Sequence, residues 1–321
     1  MQQAWQTDRS ILQRFASLKR RDRLAHAYLF IGPSGIGKGE TAIALAKMMN
    51  CEADGQEMFC DACPSCLKIN DGNHPDVHVV DHGLGESIKI ERIRDLLGRH
   101  KLKPFMARKK IFVLRNIENF TPDAANAFLK TLEEPSSDSL LLLTSSAPEK
   151  ILDTVKSRCQ VVHFPLMSSG DLAARLRQDE GIDAGSSDFL AYFAQGCLGK
   201  AQKLNESGFL KTKNQMIDEF ILRRPEDDRI KRIIGDEEGV RQLLHVLFSW
   251  VRDAALMKTG VADERLVHKD RREDLRRFEK NYTFEELKDI NASVVHMYEL
   301  LVENLNIRIP LLIIGEQLWG K

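Results

Sequence analysis

Ala27-Tyr28-Leu29-Phe30-Ile31, followed by Gly32-Pro33-Ser34-Gly35-Ile36-Gly37-Lys38-Gly39, is the stretch that decides the fold. An apolar run, a glycine-rich turn ending in Gly-Lys, and then Ala42, Leu45, Ala46 and Met49 at helical spacing form the strand, loop and helix that a phosphate loop requires. Glycines let successive backbone N–H groups curl around phosphate oxygens at the positive end of the following helix, and Lys38 adds a point charge. The candidate nucleotide-binding residues are therefore Gly32, Pro33, Ser34, Gly35, Ile36, Gly37, Lys38 and Gly39. The last of them breaks the pattern. A Ser or Thr hydroxyl for Mg²⁺ belongs directly after the lysine, and Gly39 has nothing with which to coordinate it.

The surroundings of the loop are those of a multi-domain protein without a membrane span. A chain of 321 residues exceeds one comfortable core. A hydrophobic fraction of 43%, a charged fraction of 29% and the absence of an apolar run near the ~20 residues that cross a bilayer exclude the membrane-protein class. Met1 to Arg14 has no apolar signal core, so a cytoplasmic location is expected. Lys plus Arg equals Asp plus Glu at 47 each, which argues against a surface that coats nucleic acid as a whole. One local exception is Lys89 to Lys110, with nine Lys or Arg against two acids; it reads equally as a solvated rim and as a face toward nucleic acid.

Just beyond the loop helix stand Cys51, Cys60, Cys63 and Cys66. Two overlapping Cys-x-x-Cys steps gather three thiolates, and Cys51, at the end of the preceding helix, completes a closed S₄ shell suited to structural Zn²⁺. Four crowded cysteines without a secretion signal favour metal over disulfides. Cys159 and Cys197 are expected in the core as small apolar residues.

Further apolar runs follow at Val77–Val80, Ile111–Leu114, Leu140–Thr144 and Gln160–Phe164, alternating with helical patterns around Ile88–Leu97, Thr121–Leu132 and Pro148–Val155. With residues 8 to 25 as a leading helix, this predicts an α/β unit with a parallel sheet covered on both faces. Beyond Pro165 the pattern turns helical: short helices broken by Gly181, Gly185, Gly196 and Gly199, then long apolar faces (Leu243 to Ala254; Leu287 to Leu305) separated by a charge-dense connector, Arg265 to Lys280. Where a hydrolase ends its second metal-binding strand in Asp-Glu, this chain has Arg115-Asn116.

Asn126-Ala127-Phe128-Leu129-Lys130-Thr131-Leu132-Glu133-Glu134-Pro135, Ser157-Arg158-Cys159 and the four-cysteine module after the loop resemble the bacterial clamp-loader ATPases of DNA polymerase III. Leu24 to Phe30 fits the same family, and the resemblance is dense over about residues 5 to 205. It implies a RecA-like AAA+ domain with its zinc module (1–166), a helical lid (167–207) and a helical C-terminal collar (208–321). The family comprises ATP-hydrolysing motors, gamma or tau, and a stator that does not hydrolyse. Three positions depart from the motor pattern: Gly39, Arg115-Asn116 and Gly199, where a motor carries the sensor-2 arginine. They point to the stator. Arg158 matches the arginine finger that acts in trans on a neighbour's ATP. The implied partners are the gamma/tau and delta subunits, the sliding clamp and primed DNA. Structural zinc is the expected cofactor, while ATP or ADP, a bare phosphate and an empty loop all stay open. Two alternatives are an active motor using Glu118 or Asp123 with Thr41, and a zinc-containing DNA-binding protein built on the basic stretch.

Overall fold

Strand β1 (Ala27–Ile31) lies inside a five-stranded sheet, and its neighbours explain why it is wholly apolar. In this computed structural model, which describes residues 9–53, 58–81, 87–100, 102–223, 237–302 and 308–319, the strand order is β2-β3-β4-β1-β5. The other strands are β2 (Val77–Val80), β3 (Lys110–Leu114), β4 (Ser139–Ser145) and β5 (Gln160–His163), and every pairing is parallel. Side chains alternate across the sheet. Tyr28, Phe30, Ile111, Val113, Leu140 and Leu142 enter one core with helices α1 (Arg9–Arg20) and α2 (Lys38–Asn50). Ala27, Leu29, Phe112, Leu114, Leu141 and Leu143 enter the opposite core with α4 (Ile90–His100) and α5 (Pro122–Glu133), while α3 (Pro64–Asn70) closes the cysteine loop. Burial on both faces is what makes these strands continuous apolar runs rather than alternating ones. The expected α/β class with a parallel sheet is what forms.

The chain divides into two compact units, 1–166 with 197–199, and 167–196 with 200–321. The second unit is helical: α7 (Ser169–Glu180), α8 (Ala184–Ala194), α9 (Leu198–Glu206), α10 (Phe209–Met216), a π-helical turn at Ile217–Ile221, α11 (Glu237–Lys258), α12 (Arg272–Lys280), α13 (Phe284–Val302) and α14 (Arg308–Trp319). Phe189, Phe209, Phe220, Trp250, Leu287 and Leu318 share one core, so residues on both sides of the expected boundary at 207 pack together.

Several local expectations need correction. Residues 148 to 155 are not one helix: a 3₁₀ turn (Pro148–Lys150) and α6 (Asp153–Lys156) flank extended Ile151 and Leu152, and burying Ile151 in the core is what breaks the helix. Gly185 and Gly199 interrupt nothing; Gly185 sits in the first turn of α8 behind the cap made by Asp183, which accepts from the Ser186 amide. The end of the supposed connector is helix α12, anchored by buried Leu275 and Phe278. His82, Lys101 and Leu305 lie outside the described residues.

Candidate functional site

At the C-terminal end of β1 the chain turns through the loop under constraints that select its glycines. A methyl group on Gly32 would lie 2.9 Å from the Phe164 backbone oxygen, and Gly35 and Gly37 hold φ of 78° and 98°. Pro33, Ser34 and Gly35 are exposed, Ile36 is half-buried, and Gly37 to Gly39 are buried at the start of α2. Lys38 folds back on the loop rather than out of it. Its Nζ donates to the carbonyls of Gly32 (2.6 Å) and Pro33 (2.7 Å) and to Ser146 Oγ (3.0 Å) at the end of β4. Burial pulls the Lys38 pKa below the ordinary lysine value, and the nearby Glu118 carboxylate offsets part of this.

Glu118, one turn beyond β3, accepts from the Ser146 amide (2.9 Å), and its Oε2 is buried without a partner among the described residues. It therefore stands at the loop, whereas Asp123 is exposed in the first turn of α5. Thr41 turns its hydroxyl back onto the Gly37 carbonyl (2.8 Å) and is fully buried. Two of the departures from the motor pattern prove to be one structural event. The Arg115 guanidinium lies over Gly39, so that a Cβ there would sit 2.8 Å from both Cζ and Nε. Its Nη1 donates to Asp81 (3.0 Å), and Nη2 lies 4.0 Å from Glu40. Sequence spacing cannot bring residues 39 and 115 together; the signal available was only the pairing of an absent side chain with an unexpected arginine.

The four cysteines converge. Sγ atoms of Cys51, Cys60, Cys63 and Cys66 all lie within 4.8 Å of one another. Cys51 caps the C-terminus of α2, and Cys63 caps the N-terminus of α3. Cys60 Sγ accepts from the amides of Ala62 and Cys63, and Cys63 Sγ from that of Cys66. Burial raises the Cys63 thiol, but hydrogen bonds from Glu52 and Cys66 outweigh it and bring the pKa to about 6. Four soft, convergent donors, with amide N–H groups aimed at the sulfurs of Cys60 and Cys63, fit a closed Zn²⁺ tetrahedron and leave no open position. Lys47, wholly buried in α2, was missed in the sequence. It pairs with Asp61 (2.6 Å) inside the Cys60–Cys63 turn and lies over the Phe59 ring, pinning the turn to the loop helix.

Arg158 precedes β5 and is 35% exposed on its side chain. Its Nη2 donates to Glu133 Oε1 (2.7 Å), at the end of α5, and Nη1 to the Thr154 carbonyl (3.0 Å). The guanidinium is thus aligned at the surface by a carboxylate within the same motif that carried the resemblance. Cys197 is buried as expected; Cys159 is half-buried, with burial pushing its thiol up to about 12.

Along the basic stretch, Asp76, 1% exposed, accepts from the amides of Phe105, Met106 and Ala107 at 2.8 to 2.9 Å and fixes a segment whose Phe105 is 86% exposed. Among the described residues no helix is long and apolar enough to cross a membrane.

Comparison with known proteins places these features in a family. A profile described as DNA polymerase III, delta subunit, matches residues 7–168, and one described as DNA polymerase III, delta subunit, C terminal, matches residues 209–318. DNA polymerase III subunit delta' of Pseudomonas aeruginosa is 30% identical over 301 residues, 90% of this chain and 87% of that protein. Subunit delta' of Bacillus subtilis is 38% identical over 160 residues, 50% of this chain and 48% of the relative. A solved gamma-subunit-related protein of Thermotoga maritima aligns over 94% of this chain and 96% of its own at 20% identity and a TM-score of 0.46. With two profiles in tandem and a delta' relative aligned along most of its length, the chain belongs to the DNA polymerase III delta/delta' family of clamp-loader subunits.

Proposed function

We propose that this chain is the stator, the delta' subunit, of a DNA polymerase III clamp loader, which helps place the sliding clamp on primed DNA without hydrolysing ATP itself. The observation that carries this reading is the Arg115 guanidinium over Gly39, where a motor needs a hydroxyl and a Mg²⁺ ion. Loss of the metal removes the charge compensation that phosphoryl transfer depends on. Lys38 donates to two loop carbonyls and to Ser146, contacts that a phosphate would have to displace.

Arg158 takes the complementary role. It acts across a subunit interface on the ATP of an adjoining gamma/tau motor, where a permanently charged, planar guanidinium meets two phosphate oxygens. Its support here is position and alignment: it stands at the surface, already oriented by Glu133. The remaining partners are the delta subunit, the clamp and primed DNA. Cys51, Cys60, Cys63 and Cys66 would hold a structural Zn²⁺ that staples the loop between α2 and α3. We divide the second unit into a lid to residue 207 and a collar from 208, a boundary supported by the start of the second family match at 209.

The deciding experiment is steady-state ATP hydrolysis by the purified chain with Mg²⁺, with and without primed DNA, and then by the reconstituted loader carrying Arg158→Ala. The chain alone should turn over no ATP, and the substituted loader should assemble yet hydrolyse more slowly by roughly 10³-fold at the affected site. Turnover by the chain alone, abolished by Lys38→Ala, would instead establish a motor in which another residue has taken over the metal and water, Glu118 being the carboxylate that stands at the loop. Unchanged turnover by the Arg158→Ala loader would remove the finger.

A further inference from the structure

We infer that Arg115 is the specificity-determining residue of the degenerate loop: its guanidinium is a resident cation that occupies the metal's place over Gly39 and closes the loop to metal-bound nucleotide. The inference deepens the stator reading and rests on it.

Three observations carry the step from contact to function. The first is steric. A Cβ at position 39 would lie 2.8 Å from the guanidinium, so a side chain there, including the hydroxyl that ligates Mg²⁺ in a working loop, requires Arg115 to leave the place it holds. The second is electrostatic. Arg115 is held by Asp81 at 3.0 Å, with Glu40 a further ångström away, so the acids that could attract a divalent ion are already matched to a fixed positive charge. The third is the state of the cradle itself. Lys38, the residue that would meet the phosphates, spends its hydrogen bonds on the Gly32 and Pro33 carbonyls and on Ser146. A ligand has to displace these contacts before it gains its own, and without a metal it brings uncompensated negative charge to Glu40, Asp81 and Glu118.

Lys38 and the Arg115 Nη groups are therefore already engaged, while Glu118 Oε2 and Arg115 Nε have no partner among the described residues, and the absence of a hydroxyl at position 39 is the space Arg115 needs. It follows that removing Arg115 should open the metal position, and that restoring the hydroxyl alone should not. Gly39→Ser by itself makes the guanidinium shift aside but leaves its positive charge beside the new hydroxyl, so no metal ligand is gained.

The experiment measures binding of a fluorescent N-methylanthraniloyl ATP analogue to the full-length chain, in Mg²⁺ and in excess EDTA. It compares the natural sequence with Arg115→Ala, Gly39→Ser and the double substitution. The natural chain should bind no more tightly in Mg²⁺ than in EDTA. Arg115→Ala should bind more tightly in Mg²⁺ by roughly tenfold, the scale of one charge-assisted contact, and the double substitution by more. Gly39→Ser should show no such preference. Melting temperature and zinc content confirm that each variant is folded; if the double variant does not fold, Arg115→Ala, which introduces no clash, decides alone. A natural chain that already prefers the Mg²⁺ complex, or a folded Arg115→Ala that does not, overturns the inference. Because binding is read without turnover, a chain that binds Mg²⁺-nucleotide but does not hydrolyse it refutes this inference and leaves the stator reading intact.

Discussion

Cys60 shows what a single side chain does here. Its sulfur accepts from two backbone amides and faces three other thiols, so a Zn²⁺ ion would find the sulfur charge already stabilised. Serine retains the shape but not the soft, acidic donor. Cys60→Ser should therefore lower bound zinc below one per chain and lower the melting temperature, because metal binding and folding of such loops are the same free energy. Metal analysis and calorimetry of the two proteins check both, and an equally stable variant without zinc would remove the staple. The four ligands were legible because their spacing is local. Lys47 was not: a lysine among alanines and methionines looks like a solvent-facing position until Asp61 and Phe59 are seen closing over it. Arg115 was hidden for the same reason, since nothing near it in sequence reveals that the residue beside its guanidinium is a glycine at the start of α2.

Among the elements, those buried on both sides declared themselves in the sequence. β1 and the centres of β3 (Ile111–Leu114) and β4 (Leu140–Leu143) are apolar because each face meets a different core, and α5 announced both ends, by Thr121 accepting from Ala124 and by Pro135 beyond it. Elements that depend on tertiary contact were lost, such as the break at Ile151 and the helix α12, whose sequence is almost all charge. The segment after α4 belongs with these. Locally, the Leu102 amide donates to the Arg99 carbonyl (3.2 Å), and the distant Asp76 carboxylate gathers the amides of 105 to 107. Burial alone would raise the Asp76 pKa, and the three N–H donors outweigh it, so the group sits below its ordinary value of 3.8. The carboxylate's contribution is therefore present above pH 3.8 and is lost as pH falls through the lower folded value. Asp76→Asn, which replaces one acceptor oxygen by a donor, should cost about 2 kcal/mol or more at neutral pH. Denaturant titrations at neutral pH and below pH 3.8 should show the natural chain's advantage shrinking in acid. An advantage that does not change with pH would mean that shape, not charge, fixes the segment.

At the scale of the whole molecule, the chain carries no net formal charge at pH 7, and individual buried groups add their own response to pH. Two of these stand together in the second unit. Asp253, wholly buried, accepts from the amides of Val267 (2.7 Å) and His268 (2.8 Å), and burial outweighs those bonds to push its pKa up to about 6. His268, also wholly buried and 2.9 Å from Ser249 Oγ, is held down to about 3, first by burial and then by Lys213, Arg252 and Arg271. The two act in opposite directions. Between 3.8 and about 6 the folded chain holds a proton on Asp253 that the unfolded chain has lost, so this group's contribution falls as pH rises. Between about 3 and 6.5 the unfolded chain protonates His268 while the folded chain does not, so that contribution falls as pH drops. Across the shared window, roughly pH 4 to 6, the slopes offset each other. Asp253→Asn keeps an oxygen to accept both amides and turns an NH₂ toward the Arg252 guanidinium that donated to the other oxygen (3.0 Å), a cost that does not vary with pH; it cannot titrate, so the histidine is left uncompensated. Its stability should then fall by about 1.4 kcal/mol per pH unit relative to the natural chain on going from pH 6 to pH 4. Trp250 lies in the core beside His268, and Trp319 donates to the Phe220 carbonyl in the same unit, so tryptophan fluorescence during urea unfolding follows the right transition. Parallel stability curves for the two proteins would show that Asp253 is ionised throughout this range, and that its two backbone hydrogen bonds outweigh its burial.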